Sequence, residues 1–296
     1  MIVNFPQDVR DWLVAHLERG TPPATITAQL EAQNVPAVLA AAIVDTVAHA
    51  VARGAPPPAG QLHVDETPVA AAPFRHEEPL HLGRAPVLDA GDRRVQVLAR
   101  LERPAVALLS GLLDARECAA LIALARPRLD AVRVVDPQSG EDVIAEHRSS
   151  EGMFFRPLET PLVERIERRI EKLTGIPLAH GEGIQVLRYR PGAQSTPHFD
   201  FLLPANAANR ESIERSGQRI STMVMYLNDV ESGGETAFTE AGLSVTAREG
   251  NAVYFQYGNR LGQSDHASVH AGSPVLAGEK WIATKWLRAR RFVPRA

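Results

Sequence analysis

From residue 183 onward, the apolar residues of this chain repeat at every second position. The runs GIQVLRYRPG, ISTMVMYL, LSVTARE, NAVYFQYG, ASVHAGSPVL and KWIATKWLRA each alternate over a few residues, and Gly, Pro, Asn and Asp separate them. A period of two belongs to half-buried strands. Short strands in close succession, with no helix between them, fold into a sandwich or a jelly roll.

Upstream the period is helical. DARECAALIALARPR places Asp114 at a cap position and Glu117 in the first turn, a variant of the capping box, ahead of an apolar stripe. TPLVERIERRIEKLTG sets Leu162, Ile166, Ile170 and Leu173 on one face and stops at Gly175. These helices are expected to pack outside the strands, giving an α+β domain over residues 88–296. Residues 1–52 read as a separate helical module. DVRDWLVAHLERG carries Val9, Trp12, Leu13 and Leu17 on one face with Gly20 as a stop. TPPATITAQLEAQNV starts with Thr21 as a cap and prolines in its first turn, and Pro36 opens an alanine-rich third helix. Such a bundle serves folding or dimerisation, or it binds a partner. Residues 53–87, rich in Pro, Ala and charge without apolar period, read as an extended flexible linker. His63, His76 and His81 fall in or near it and receive no role.

Charge and hydropathy narrow the function classes. A net charge of -3 and a pI of about 6.4 provide no basic field for nucleic acid or an anionic membrane. The longest apolar run, VPAVLAAAIVDTVAHAVA, is interrupted by Asp45 and His49 and is too short and polar to span a bilayer. The single cysteine, Cys118, forms no internal disulfide, and MIVNFPQDVR lacks the features of a secretion signal. Both point to a reducing, cytoplasmic setting.

The segment TPHFDFL carries the chemistry. On a strand, His198 and Asp200 project to one face and Phe199 to the other. An imidazole and a carboxylate side by side are two ligands for a divalent metal. Two histidines and one carboxylate around iron(II) leave coordination positions open for an oxidant and a co-substrate. Alone, H-x-D is a weak signal, equally met by a surface pair or a hydrogen-bonded core pair. His270, within the alternating run ASVHAGSPVL, offers a third ligand; His266, at the turn SDHAS, competes with it but sits where a solvated histidine is expected. Lys280 then opens an apolar strand. A buried ammonium needs an anion, and the far carboxylate of a metal-bound dicarboxylate would supply one. Lys280, Ile282, Thr284 and Trp286 share parity, so the ammonium and the indole face one interior. The alternative for Lys280 is an edge-strand lysine that discourages aggregation.

With QVLRYRPG…TPHFDF, RISTMVMYLNDVESGGETAF and SVHAGSPVLAGEKWIATKW in order, and EHRSSEGMFF as a weaker match upstream, the sequence resembles the prolyl 4-hydroxylase group of iron(II)/2-oxoglutarate-dependent dioxygenases. The resemblance covers about residues 183–290 and leaves the first 90 outside. It implies a double-stranded β-helix (jelly roll) core with flanking helices, preceded here by the small N-terminal helical module. It implies iron ligands at His198, Asp200 and His270. Lys280, Tyr189 and, less directly, Thr236 fall on positions that hold 2-oxoglutarate. Arg219 and Trp286 match positions contacting a peptide substrate, and Arg148 and Ser149 match a loop folding over it. The implied activity is hydroxylation of a prolyl residue in a protein or peptide, using O2 and releasing succinate and CO2, with ascorbate as an optional reductant.

One position departs from the pattern. Where relatives with peptidyl-proline substrates carry a pocket-shaping tyrosine, this chain has Ser195. That keeps open the same chemistry on a free amino acid or other small molecule. A non-catalytic sensor or scaffold would require a lost ligand or a lost lysine, and neither is missing. PANAANRESIERSGQ, between two strands beside the site, is expected to be a lid-like loop. The sequence sets neither the natural substrate nor the oligomeric state.

Overall fold

A computed structural model describes residues 2–5, 7–19, 21–33, 35, 37–52, 56–57, 60–63, 74–75, 81–131, 133–135, 142–144, 150–204 and 207–294. The chain forms two compact units, Met1–Pro73 and Phe74–Ala296.

In the first unit, α1 (Gln7–Glu18), α2 (Pro23–Ala32) and α3 (Ala37–Ala52) bury Leu13, Ile26, Leu30, Ala40, Ile43, Val44 and Val47 in one cluster. Pro22 rather than Thr21 is the N-cap of α2, and the Thr21 hydroxyl pairs with His16 Nδ1 at 3.3 Å instead. Gly20 and Pro36 lie outside the described residues. Flanking the helices, β1 (Ile2–Phe5) and β2 (Gly60–His63) pair antiparallel, Ile2 opposite His63. The second of these strands lies inside the stretch read as a linker.

The second unit contains β3 (Val87–Asp89), β4 (Arg94–Leu101), β5 (Ala105–Ser110), α4 (Ala115–Ala125), β6 (Asp130–Ala131), β7 (Arg133–Val135), β8 (Asp142–Ile144), β9 (Ser150–Phe155), α5 (Pro161–Thr174), β10 (Ile184–Tyr189), β11 (Ser195–His198) and α6 (Ala207–Ser216). There follow β12 (Arg219–Tyr226), β13 (Ser232–Gly233), β14 (Thr236–Phe238), β15 (Leu243–Val245), β16 (Ala252–Gln256), β17 (His270–Gly272), β18 (Val275–Ala277) and β19 (Lys280–Arg288). Nine strands form a large sheet in the order β3-β4-β5-β16-β12-β19-β10-β9-β6, and β11-β17-β14-β15 form a smaller one. This is the jelly-roll arrangement of two antiparallel sheets.

Strand parity sorts the two sides of the large sheet. Val186, Met223, Met225, Ala283 and Leu287 point to one side, where they join Cys118 and Leu121 of α4 and Val163, Ile166, Ile170 and Leu173 of α5. Leu187, Tyr189, Val224, Tyr226 and Ile282 point to the other, where they meet Phe238 and Val245 of the small sheet. The capping box of α4 and the glycine stop of α5 are as expected, and α5 has a threonine N-cap besides. Asp114 and Glu117 form a reciprocal capping box on α4. Thr160 caps α5, and Gly175 closes it at φ 66°. Among the described residues, no helix is long and apolar enough to cross a membrane.

Two strand expectations are corrected. The stretch after residue 183 is not free of helices, because Ala207–Ser216 of the expected loop form α6. This helix has no apolar stripe; it is tied by Arg215 to Glu211 one turn earlier and by Asn209 to the Leu203 carbonyl. ASVHAGSPVL is likewise not one strand. His266–Ser268 form a 3₁₀ turn, β17 ends at Gly272, and β18 leaves to pair with β13. Pro274 has no N–H with which to continue a ladder. At the base of the α6 excursion, the Gln218 amide stands in for a strand partner. Its Oε1 accepts from Leu202 N at 2.8 Å and its Nε2 donates to Leu202 O at 2.7 Å.

Candidate active site

The two sheets position the site. β11 pairs with β17 so that His198 lies opposite His270, and their ring centroids are 4.5 Å apart. β11 ends at His198, so Asp200 reaches the same side from the turn beyond it. Phe199 and Phe201 go the other way, stack at 4.7 Å, and take the His266 ring against them at 5.0 and 5.3 Å. His266 is thereby placed in an aromatic contact, while His270 joins Asp200.

Ligand atoms of His198, Asp200 and His270 lie within 4.8 Å of one another. Nε2 of His198 is 3.8 Å from Asp200 Oδ1, and Nε2 of His270 is 3.7 Å from Oδ2. Both separations exceed a hydrogen bond. The tautomers follow from the backbone. His198 Nδ1 is 2.8 Å from the Thr196 carbonyl and His270 Nδ1 is 3.1 Å from the Ser268 carbonyl. A carbonyl only accepts, so each Nδ1 carries a proton, and in the neutral, metal-binding form each ring turns its Nε2 lone pair toward the carboxylate. Converging lone pairs repel unless a cation lies between them. The donor set is that of a two-histidine, one-carboxylate iron(II) centre, and these residues fit that ion.

Outer contacts hold the ligands. Thr222 Oγ1 donates to Asp200 Oδ2 at 2.7 Å. Because that proton is engaged, the Tyr257 hydroxyl, 2.9 Å away, donates to Thr222 in turn. Burial alone raises the Asp200 carboxyl; positive charge at His270, His198 and Arg219, with the Thr222 hydroxyl, more than offsets it and holds it below the usual carboxylate range. Phe255 meets the His270 ring edge-on at 4.7 Å.

One pocket is lined by Tyr189, Ser195, His198, Asp200, Thr236, His270, Lys280 and Trp286, together with Gln185, Leu187, Val224, Ile282 and Thr284. Lys280, opposite Tyr189 in the β10–β19 register, is 3% exposed. Its ammonium sits 5.5 Å over the Tyr189 ring, and among the described residues no carboxylate forms an ion pair with it. Burial pulls its pKa down to about 8, opposed only by the more distant Glu235. Gly234, at φ 70°, clears the way for this side chain: a Cβ there would lie 3.3 Å from Lys280 Cδ. Thr236 accepts a hydrogen bond from the Tyr226 hydroxyl at 2.9 Å.

Arg219 reaches the inner face through a register shift between Arg219 and Ser221. Its Nε and Nη2 grip Glu182 at 2.7 and 2.9 Å, and its Nη1 donates to the Asp200 carbonyl at 3.2 Å. The guanidinium lies 4.1 Å over the Trp286 ring. Arg219 thus stands behind Trp286 with its charge already paired. Glu182 also accepts from Arg288 Nε at 2.6 Å, and Arg288 reaches Ser212 of α6 at 2.8 Å. Arg148 and Ser149 lie outside the described residues. Thr222, Tyr257, Gln185 and Glu182 were not singled out from the sequence, and Thr284 was placed on the inner row without a role. Thr222 and Thr284 were detectable as polar residues sharing parity with apolar inner-face neighbours, whereas Glu182, in a glycine-flanked turn, gave no signal.

The sequence model of the 2OG-Fe(II) oxygenase superfamily matches residues 184–288. Prolyl 4-hydroxylase 1 of Arabidopsis thaliana is 41% identical over 202 residues, 63% of this chain and 70% of that protein. Probable prolyl 4-hydroxylase 3 of the same plant is 35% identical over 221 residues, 68% and 75% of the two chains. Among solved structures, a 2OG complex of the viral collagen prolyl hydroxylase vCPH from Paramecium Bursaria Chlorella virus-1 is similar at 28% identity and a TM-score of 0.49, covering 62% of this chain and 96% of that one.

Proposed function

The chain belongs to the prolyl 4-hydroxylase family of 2OG-Fe(II) oxygenases, and we propose that it hydroxylates prolyl residues of proteins or peptides. Iron(II), 2-oxoglutarate and dioxygen are its cofactor and co-substrates, with succinate and CO2 released. The observation that carries this reading is the convergence of His198, Asp200 and His270 in a pocket that also holds the buried Lys280.

The bound iron supplies activation of dioxygen coupled to oxidation of oxoglutarate. This chain's residues do the rest. His198, Asp200 and His270 hold the ion, supported by the carbonyl bonds that aim both Nε2 atoms. Lys280 takes the far carboxylate of oxoglutarate, with Tyr189 beside it and Thr236 on the wall. Thr222 orients Asp200. Trp286, backed by Arg219, forms the side of the pocket where the peptide enters, and the resemblance assigns Arg148 and Ser149 to substrate contact. The large apolar cluster around Phe238 and Phe255 keeps water from the back of the site. The buried lone cysteine, Cys118, supports a cytoplasmic setting.

The test is oxoglutarate turnover against a panel of prolyl peptides, free proline and other free amino acids, with mass spectrometry of the products. Peptide-dependent succinate release with one added oxygen on proline is the expected result. Turnover on free amino acids alone overturns the reading.

A further inference from the structure

We propose that Phe154 is a specificity-determining residue of this site: its ring is the wall against which the side chain next to the target proline packs. The inference rests on the prolyl-hydroxylase reading above. Directly opposed residues of antiparallel strands point to the same face of a sheet. Phe154 is opposite Gln185, Gln185 is opposite Thr284, and Thr284 is opposite Val224. These residues form one row across β9, β10, β19 and β12, on the inner face. Val224, Thr284 and Gln185 line the pocket that contains the metal-ligand set. Phe154 is the next residue outward in the same row.

Its burial sets it apart from its neighbours. Met153 and Phe155 are 6% and 1% exposed and belong to the core on the helical side, whereas Phe154 is 52% exposed. Isolated exposed apolar residues are common and need no explanation; Leu98 and Leu276 are of that kind. Phe154 differs because it is continuous with the pocket. Its ring centroid is 6.4 Å from that of Trp286, at an interplanar angle of 35°, and the Arg219 guanidinium lies 4.1 Å over the Trp286 ring. Arg219, Trp286 and Phe154 make a ledge of planar groups in which Trp286 is buried and Phe154 is open.

A peptide entering the pocket crosses that ledge. An extended proline-rich chain presents flat apolar ring faces, and aromatic-lined grooves recognise such chains through them. A charged residue beside the target would lose part of its hydration against the Phe154 ring, which an apolar residue would not. The wall therefore selects proline or another apolar residue next to the target over a charged one.

The test uses two labelled synthetic peptides, identical except that the residues flanking the target proline are proline in one and aspartate in the other. Affinity is read by fluorescence anisotropy without oxygen, with iron(II) and oxoglutarate present. Wild-type protein is expected to favour the proline-flanked peptide. Phe154→Ala should bind it about tenfold more weakly and lose the preference, with KM for oxoglutarate and peptide-free oxoglutarate turnover unchanged. Phe154→Leu should retain most of both affinity and preference. A Phe154→Ala protein that binds and discriminates like wild type overturns the inference and leaves the proposed function standing. A wild-type protein that neither binds nor hydroxylates either peptide overturns both.

Discussion

Replacing Lys280 by Met should make the ligand-free protein more stable while nearly abolishing its affinity for oxoglutarate. Lys280 is 3% exposed, and burial moves its pKa from 10.5 to about 8. At 1.36 kcal/mol per pH unit, holding that charge inside costs about 3 kcal/mol at neutral pH. Met has a similar volume and no charge, so Lys280→Met should recover about 2–3 kcal/mol of stability at pH 7. The sign of the pH dependence follows. Between about pH 8 and 10.5 the unfolded lysine still holds a proton that the folded one has released. Ligand-free wild type therefore gains stability as pH rises through that window, and the difference from Lys280→Met closes. Oxoglutarate affinity runs the other way. The dianion needs the ammonium, so wild-type affinity falls as pH rises past about 8, while Lys280→Met binds at least about 100-fold more weakly throughout. Urea unfolding from pH 7 to 10 reads the first effect, and anaerobic absorbance titration with iron(II) from pH 6.5 to 9 reads the second. Parallel stability curves for the two proteins, together with equal oxoglutarate affinities, would refute the idea that this lysine is held charged for its ligand.

Other outcomes follow from the same geometry. His198→Ala should lose the metal-to-ligand absorbance band that iron(II) and oxoglutarate give wild type, because one of the converging lone pairs is gone. Thr222→Val keeps the shape but removes the donor to Asp200 and leaves the Tyr257 hydroxyl without its acceptor; metal affinity should drop by about 10-fold, measured by competition with a chelator. Glu182→Ala leaves Arg219 and Arg288 without their shared carboxylate and should destabilise the larger unit by about 3–5 kcal/mol in urea unfolding.

Most of the strand system was legible because a buried sheet imposes its period on the side chains. The inner row of β19, Lys280 to Trp286, could be read as one face and is one face. Helix ends were legible where a local signal marks them, as at the Asp114 capping box and the left-handed Gly175 stop, and not at α2, where Thr21 turned to His16. α6 was missed because nothing in AANRESIERS marks a buried face; tertiary hydrogen bonds from Arg288 and Arg290 hold it. At the site, the metal-ligand set and Lys280 were visible through residue type and order. Arg219 was visible as a charge but not as a paired one, since its partner Glu182 is distant in sequence and the β-bulge that turns it inward has no local signature. Phe154 was hidden for a similar reason: its meaning comes from the register of β9 with β10, which depends on strands far apart in the chain.

The Gln218 amide that pairs with both backbone groups of Leu202 has a consequence for variation. It closes the neck of the excursion carrying α6 with one side chain, two residues beyond Asp200. Past the neck, extra chain length adds loop-closure entropy that grows slowly, while Arg288 and Arg290 anchor Ser212, Ile213 and Glu214 at the far end of α6. Segments of different length and sequence can be exchanged between residues 203 and 211 while the carboxylate stays in register, so new recognition elements can be grafted there within reach of an unchanged catalytic core.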